Sequence, residues 1–352
     1  HRFGMYEVGL LGLGQHEQVV DDASHTVEFV GDQGHGVALF VGVGGTLFRA
    51  FMPPARDSGG MPLAVLIAGF VALPCAVGLQ GLDALAAPWS ALASIPPWRA
   101  GLTTRHGIMA VLMLASLTAA LVAALTSHAA TRRAGAGGAA LLAAAAFAAS
   151  GHASTAPPPW LARPAVLVHT LAIVLWVGSL LPLRHALSEP RGGVVLNRFS
   201  RAIPWVLLAL IVSGATLSIL QLDLSQPIWS TDYGRILTAK LALVIAVLGV
   251  AAVNRFGLTR RVGQGDAVAR RRMGRLIVVE MLLVLGIFAL AATWRFTPPP
   301  RALSAARPHP VSIHLHGDKA MIDLSLRPQG ANRWDARLSV LSADSSALAA
   351  RE

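Results

Sequence analysis

Seven side chains with metal-binding potential stand out in a chain that is otherwise poor in polar residues. His106, Met109 and Met113 recur at i, i+3 and i+7, so on a helix they share one face. His152 in "SGHAS" and His169 in "LVHTLAIVLWVGSLLPL" belong to two apolar runs joined by the short Pro-rich link "TAPPPW". Runs so joined should be antiparallel neighbours, with the two imidazoles at similar depth and able to share a ligand. His314 and His316, two apart in "SIHLHGD", would project from one face of a strand. Imidazole with thioether is a soft set suited to Cu(I). Paired imidazoles suit Cu(II) or Zn(II), and neither set suits Mg or Ca, which want oxygens. The expected ligand is therefore copper, as Cu(I) or Cu(II), at His152, His169, His106, Met109, Met113, His314 and His316. Each has a plainer reading as well, since Met fills gaps in apolar cores and a His ring suits a membrane interface. His169 is the exception that most needs a reason, because it lies inside an apolar run.

The elements that must position these residues are membrane spans. Of 352 residues, 54% are hydrophobic and 13% charged. Apolar runs at 35–52, 61–81, 106–126, 138–151, 164–184, 202–221, 235–254 and 276–294 mostly approach the roughly 20 residues that cross a hydrocarbon core of about 30 Å. The expected architecture is an all-α polytopic membrane protein of about eight transmembrane helices in a bundle. After "FTPPPRA" the pattern changes. "PVSIHLHGDKAMIDLSLRP" (310–328) alternates polar and apolar like two short strands around "GD" at 317–318. The expected domains are an atypical N-terminal segment (1–34), the eight-helix domain (35–296), a Pro-rich linker (297–309) and a short β-rich periplasmic tail (310–352). No leader pattern is read at the start, and both ends are expected to be incomplete.

Charge orients the spans. The intervals 49–61, 126–138, 184–201 and 255–275 hold fifteen Lys or Arg, whereas 81–105, 150–163 and 221–235 hold four: Arg99, Arg105, Arg163 and Arg235. Basic loops stay in the cytoplasm, so both termini are expected in the periplasm, although Arg295, Arg301 and Arg307 fall on that outer side. The net charge of +11 is then a consequence of membrane topology, and no nucleic-acid partner is expected. His128 and His185 lie among the cytoplasmic arginines and read as interface residues.

Several other residues demand an explanation. Lys240 lies inside the seventh run and Glu280 near the start of the eighth; entering from opposite sides, they are not expected to pair. Asp232 and Tyr233 read as an N-terminal cap for the seventh helix. Cys75, the single cysteine, excludes an intrachain disulfide and reads as a packing residue, though thiolate also binds Cu(I). Walker loops, GxSxG elbows and HExxH pairs are absent from the sequence, and no enzymatic activity is expected.

Taken in order, "SGHAS", "LVHTLAIVLWVGSLLPL", "RFSRAIPWVLLALIVSGATLS", "TDYGRILTAKLALVIAVLGVAAVNR" and "TPPPRA" resemble the CopD family of bacterial copper-resistance membrane proteins, over roughly residues 61–302. The resemblance implies an eight-helix inner-membrane protein in copper uptake or tolerance, and the tail looks like the periplasmic β extension of some members. The function expected is acceptance of copper at the periplasmic face and its movement across or into the membrane. The expected partners are the copper ion, the lipid bilayer and a periplasmic copper-binding protein. Two alternatives stay open: a non-transporting copper-responsive scaffold or sensor for a periplasmic partner, and a b-type haem redox protein with axial histidines on separate helices.

Overall fold

The computed structural model describes residues 38–52, 60–149, 156–189, 192–222, 227–293, 297, 300, 311–316, 320–328 and 334–342. The chain divides into two units, His1–Thr297 and Pro298–Glu352. Within the described residues the first unit is built of helices. Helix α1 opens with a π-helical turn, Ala38–Val43, and continues as Gly44–Phe51. There follow α2 (Gly60–Leu85), a short α3 (Ile95–Thr103), α4 (Arg105–Leu125), α5 (Ala129–Ala149), α6 (Pro159–Ala186) and α7 (Gly192–Gln221). Helix α8 runs over Asp232–Ala252, passes through a π-helical stretch, Val253–Leu258, and ends as Thr259–Gly263; α9 is Ala267–Thr293.

Six of these rods are long and apolar enough to cross a membrane: Leu63–Leu85, His106–Leu125, Pro159–Ala186, Gly192–Gln221, Asp232–Gly263 and Ala267–Thr293. The protein is an all-α polytopic membrane protein. Large apolar side chains such as Val71, Val111, Ile245 and Leu282 point outward from the rods, as lipid-facing positions do. Helix α1 is too short to join the six, and α5 is too poor in large apolar residues.

Several helices begin well before the apolar runs that announced them. Helix α5 starts at Ala129, nine residues ahead of its run, α7 at Gly192 and α9 at Ala267. Arginine and alanine are strong helix formers, so the described residues of the basic intervals 126–138, 184–201 and 255–275 are mostly helix that extends past the apolar core. Between α8 and α9 the connection shrinks to Gln264–Asp266, closed by Gly265 at a φ of +88°, which only glycine adopts without strain. Asp266 then caps α9, its Oδ1 accepting from the Val268 and Ala269 amides at 2.8 and 2.9 Å while Oδ2 accepts from Arg261.

Close packing explains the small residues. Ala120 and Ala123 on α4 meet Ala136, Ala139 and Ala143 on α5, all nearly inaccessible, and Ser116 donates across the contact to the Ala139 carbonyl at 2.7 Å. Without large side chains the two backbones approach closely and gain dispersion contacts that lipid cannot supply. At the α1–α6 crossing a Cβ on Gly178 would fall 2.4 Å from the Gly44 Cα and from the Phe40 carbonyl oxygen. Phe40 itself stacks between Phe147 of α5 and Phe288 of α9, with centroids 5.5 and 5.1 Å away.

In the second unit, β1 (Val311–His316), β2 (Ala320–Pro328) and β3 (Trp334–Ser342) form one antiparallel sheet in the order β1-β2-β3. His314 pairs with Asp323 and His316 with Met321. Strand β3 lies outside the two strands read from the sequence.

Two outcomes follow. Gly178→Val should force α1 and α6 apart at a cost of ~1–3 kcal/mol, read as a lowered melting temperature of the purified protein, whereas the same change at Gly249, where a Cβ meets nothing, should leave it unchanged. The Ala269 amide, chief among its partners, holds the Asp266 carboxyl below the usual carboxylate range. A depressed carboxyl stabilises the folded state above its ordinary titration range and loses that contribution as pH falls through its folded value. The Ala269 amide resonance should therefore shift on acidification in the wild type and not in Asp266→Ala.

Candidate metal site

The described site centres on His169, ten residues into α6, or roughly 15 Å along the rod. Its helix begins at Pro159, five residues before the apolar run, because proline is tolerated in the first turn. The histidine thus lies deeper in its helix than the sequence placed it. The ring is half-buried against α7, where Nδ1 lies 3.3 Å from the Leu210 carbonyl oxygen and 3.1 Å from Ser213 Oγ. Ser213 spends its hydroxyl proton on the Ala209 carbonyl, at 2.6 Å. A carbonyl only accepts, and this hydroxyl is left to accept, so the network assigns the proton to Nδ1. The Nε2 lone pair is then available to a ligand, with the ring oriented by backbone and hydroxyl as metal-binding imidazoles usually are.

Gly214 makes the approach feasible. A Cβ there would lie 3.0 Å from His169 Cε1 and 3.4 Å from Nδ1, so any side chain would press on the ring. Lys240, half-buried on α8, is close enough for its charge to act on His169. Neither Ser213 nor Gly214 was foreseen from the sequence. In "LIVSGATLS" small residues are ordinary helix-packing elements, and no periodicity ties them to a histidine forty-odd positions away.

The other candidates are spread over the molecule. His152 lies outside the described residues. On α4, His106 is exposed, Met109 is half-buried and Met113 is 1% exposed in an apolar cluster with Leu66 and Leu117. The stripe therefore runs from the surface into the core. Helices α4 and α6 each pack on α5. His314 and His316 both lie on β1, in the second unit. Among the described residues no three His, Cys, Asp or Glu side chains cluster closely enough to hold a metal ion together. Cys75 is exposed on α2. His185 Nδ1 lies 2.9 Å from the Leu181 carbonyl of its own helix, and the exposed His128 takes its backbone N–H to Thr126 Oγ1.

One reading of the charged residues needs correction. The cap of α8 is Thr231, whose hydroxyl accepts from the Gly234 amide; Asp232 instead pairs with Arg235 at 3.1 Å, and Tyr233 donates to Gln221 Oε1. Threonine one position earlier has the extended backbone a cap requires. Glu280 is bound by Asn254, which donates to Oε1 at 2.7 Å.

Residues 193–294, from the start of α7 to the end of α9, match the family model CopD, described as copper resistance protein D. This segment is similar to CopD-family sequence. It contains Ser213, Gly214 and Lys240, the partners that surround His169 from the far side, while His169 itself precedes the matched residues. No curated protein and no solved structure matches the chain. Copper resistance is thus the CopD-family context of a multi-pass membrane protein.

The geometry around His169 gives a direct outcome. In Gly214→Ala the added methyl should displace the ring, shifting the His169 imidazole resonances, while Ser218→Ala, four residues on and bonded only to the Gly214 carbonyl, should not move them.

Proposed function

We propose that the protein handles copper in a bacterial inner membrane, accepting the ion at the periplasmic face and moving it across or into the bilayer. The observation that carries this reading is His169, a half-buried imidazole inside a span whose Nδ1 is committed to Leu210 and Ser213 and whose Nε2 is free for a soft cation, set against a CopD-family segment. His152 and His169 form the entry pair; His106, Met109 and Met113 offer further soft ligands on α4, and His314 with His316 a pair on the tail. Both termini are periplasmic on the basic-interval count, and a periplasmic copper-binding protein is the natural donor.

Lys240 shapes how copper rests at His169. A like charge nearby opposes a bound cation, so the histidine favours brief occupancy over storage, as a relay between sites requires. The scaffold or sensor reading retains one specific support, the lack of a three-residue ligand cluster among the described residues.

The test is cellular copper in cells expressing the chain, wild type against His152→Ala/His169→Ala, under limiting and excess copper. A change in wild type that the double variant abolishes is the expected result, and its sign gives the direction of movement. If neither changes cellular copper while the purified protein still binds the ion, transport is overturned in favour of the scaffold. Ser213→Ala should weaken copper binding at His169 by about 10-fold, as loss of an orienting partner does, and Lys240→Met should strengthen it. A reduced-minus-oxidised spectrum free of haem bands removes the haem alternative.

A further inference from the structure

Among the described residues, Glu280 and Asn254 form a buried polar pair that copper handling does not use. Glu280, 3% exposed, lies on the face of α9 that carries Met273, Ile277 and Val284, in an apolar cluster with Val247 and Leu258. It is five residues beyond Arg275, or about 7–8 Å further into the helix. Its facing residue, Asn254, is 9% exposed in the π-helical stretch of α8 and donates Nδ2 to Glu280 Oε1 at 2.7 Å. The other end of that amide, Oδ1, is buried and has no hydrogen-bond partner. Insertion of the π-helical turn aims the amide at α9, and such turns recur at functional positions.

The chemistry of the pair is one-sided. A carboxylate only accepts, an amide oxygen only accepts, and a single Nδ2 donor stands between them. An orphaned acceptor and a carboxylate buried together in an apolar cluster are each costly, and the same partner relieves both: something positive. Oxygen atoms are hard ligands, so that partner is not Cu(I). Metal cations that prefer oxygen gather roughly six of them, and the pair provides far fewer. A proton needs only one oxygen to bind and one to receive its hydrogen bond.

The charged and titratable groups on the elements packed against α9 are engaged elsewhere. Arg255 reaches Ser200 on α7, Arg261 pairs with Asp266, and Asp232 pairs with Arg235. His185 bonds its own helix, His169 bonds α7, Tyr233 donates to Gln221, and the charge of Lys240 acts on His169. Arg163, Arg184 and Arg260 are exposed.

We propose that Glu280 and Asn254 form a proton-binding site inside the bundle, with the proton carried on the Glu280 carboxyl beside the Asn254 amide. An O–H bond forms at a carboxylate oxygen as an O–H bond of hydronium breaks and leaves water, and no oxidation state changes. The site stands independently of the copper reading, because it needs neither His169 nor a metal.

The experiment is infrared difference spectroscopy of the full chain in lipid, between acidic and alkaline buffer, with carboxyl-labelled glutamate to identify the residue type. The expected result is a protonated-carboxyl band that moves with the glutamate label, disappears in Glu280→Gln and titrates at a different pH in Asn254→Leu. Glu280→Gln retains an oxygen to accept from Asn254; were it to fail to fold, Asn254→Leu and the labelled wild type still read the site. An identical band in wild type and Glu280→Gln, or no labelled band at any pH, would overturn the proposal. So would a band that appears only when sodium and potassium are removed, since an alkali cation would then be the occupant.

Discussion

Inside a hydrocarbon layer a polar side chain has no water to turn to, and that constraint organises this protein. Among the described residues several hydroxyls satisfy it locally by donating back to a carbonyl one turn earlier: Thr46 to Gly42, Thr118 to Leu114, Thr216 to Val212 and Thr238 to Gly234. Such side chains make no demand on neighbouring helices. His169 and Glu280 are not satisfied this way: the His169 ring meets Leu210 and Ser213 of α7, unlike His185, which bonds the Leu181 carbonyl of its own helix, and a carboxylate has no proton to return to a carbonyl. Each therefore needs a second helix brought to it, and each contact joins two rods of the bundle.

The rest of the packing makes those contacts attainable. Helix α6 can lie against α7 at His169 only because Gly214 leaves room for the ring. The same device, backbone approach through small residues, brings α1 onto α6 at Gly44 and Gly178 and α4 onto α5 through their alanines. Since lipid tails are as apolar as leucine, such close approach, and not the exclusion of water, holds the helices together. A histidine held at Nδ1 between a carbonyl and a hydroxyl has lost one of its two tautomers, which turns a general polar residue into a directed lone pair.

Charge and helix propensity explain where the elements end. The basic segments that orient the chain also extend its helices, so α5, α7 and α9 project past their apolar stretches and carry their arginines on helix surfaces. Only Gln264–Asp266, with its left-handed glycine and its aspartate cap, interrupts the run from α8 to α9.

The sequence by itself determined the membrane class, the approximate place of each long apolar helix and the basic intervals, and it carried the CopD likeness. These are properties of hydropathy and local propensity, which act along the chain and need no partner. It misplaced helix starts, since arginine and alanine prolong a helix without adding hydropathy, and it assigned the α8 cap to Asp232 where Thr231 serves. The tertiary structure alone decided that His169 meets Ser213 and Gly214, that Met113 sits in the core while His106 faces out, and that Glu280 is matched with Asn254. Those pairings join residues far apart in the chain, and which faces of two helices meet depends on rotation and offset between rods, quantities that emerge only when small residues let the backbones close.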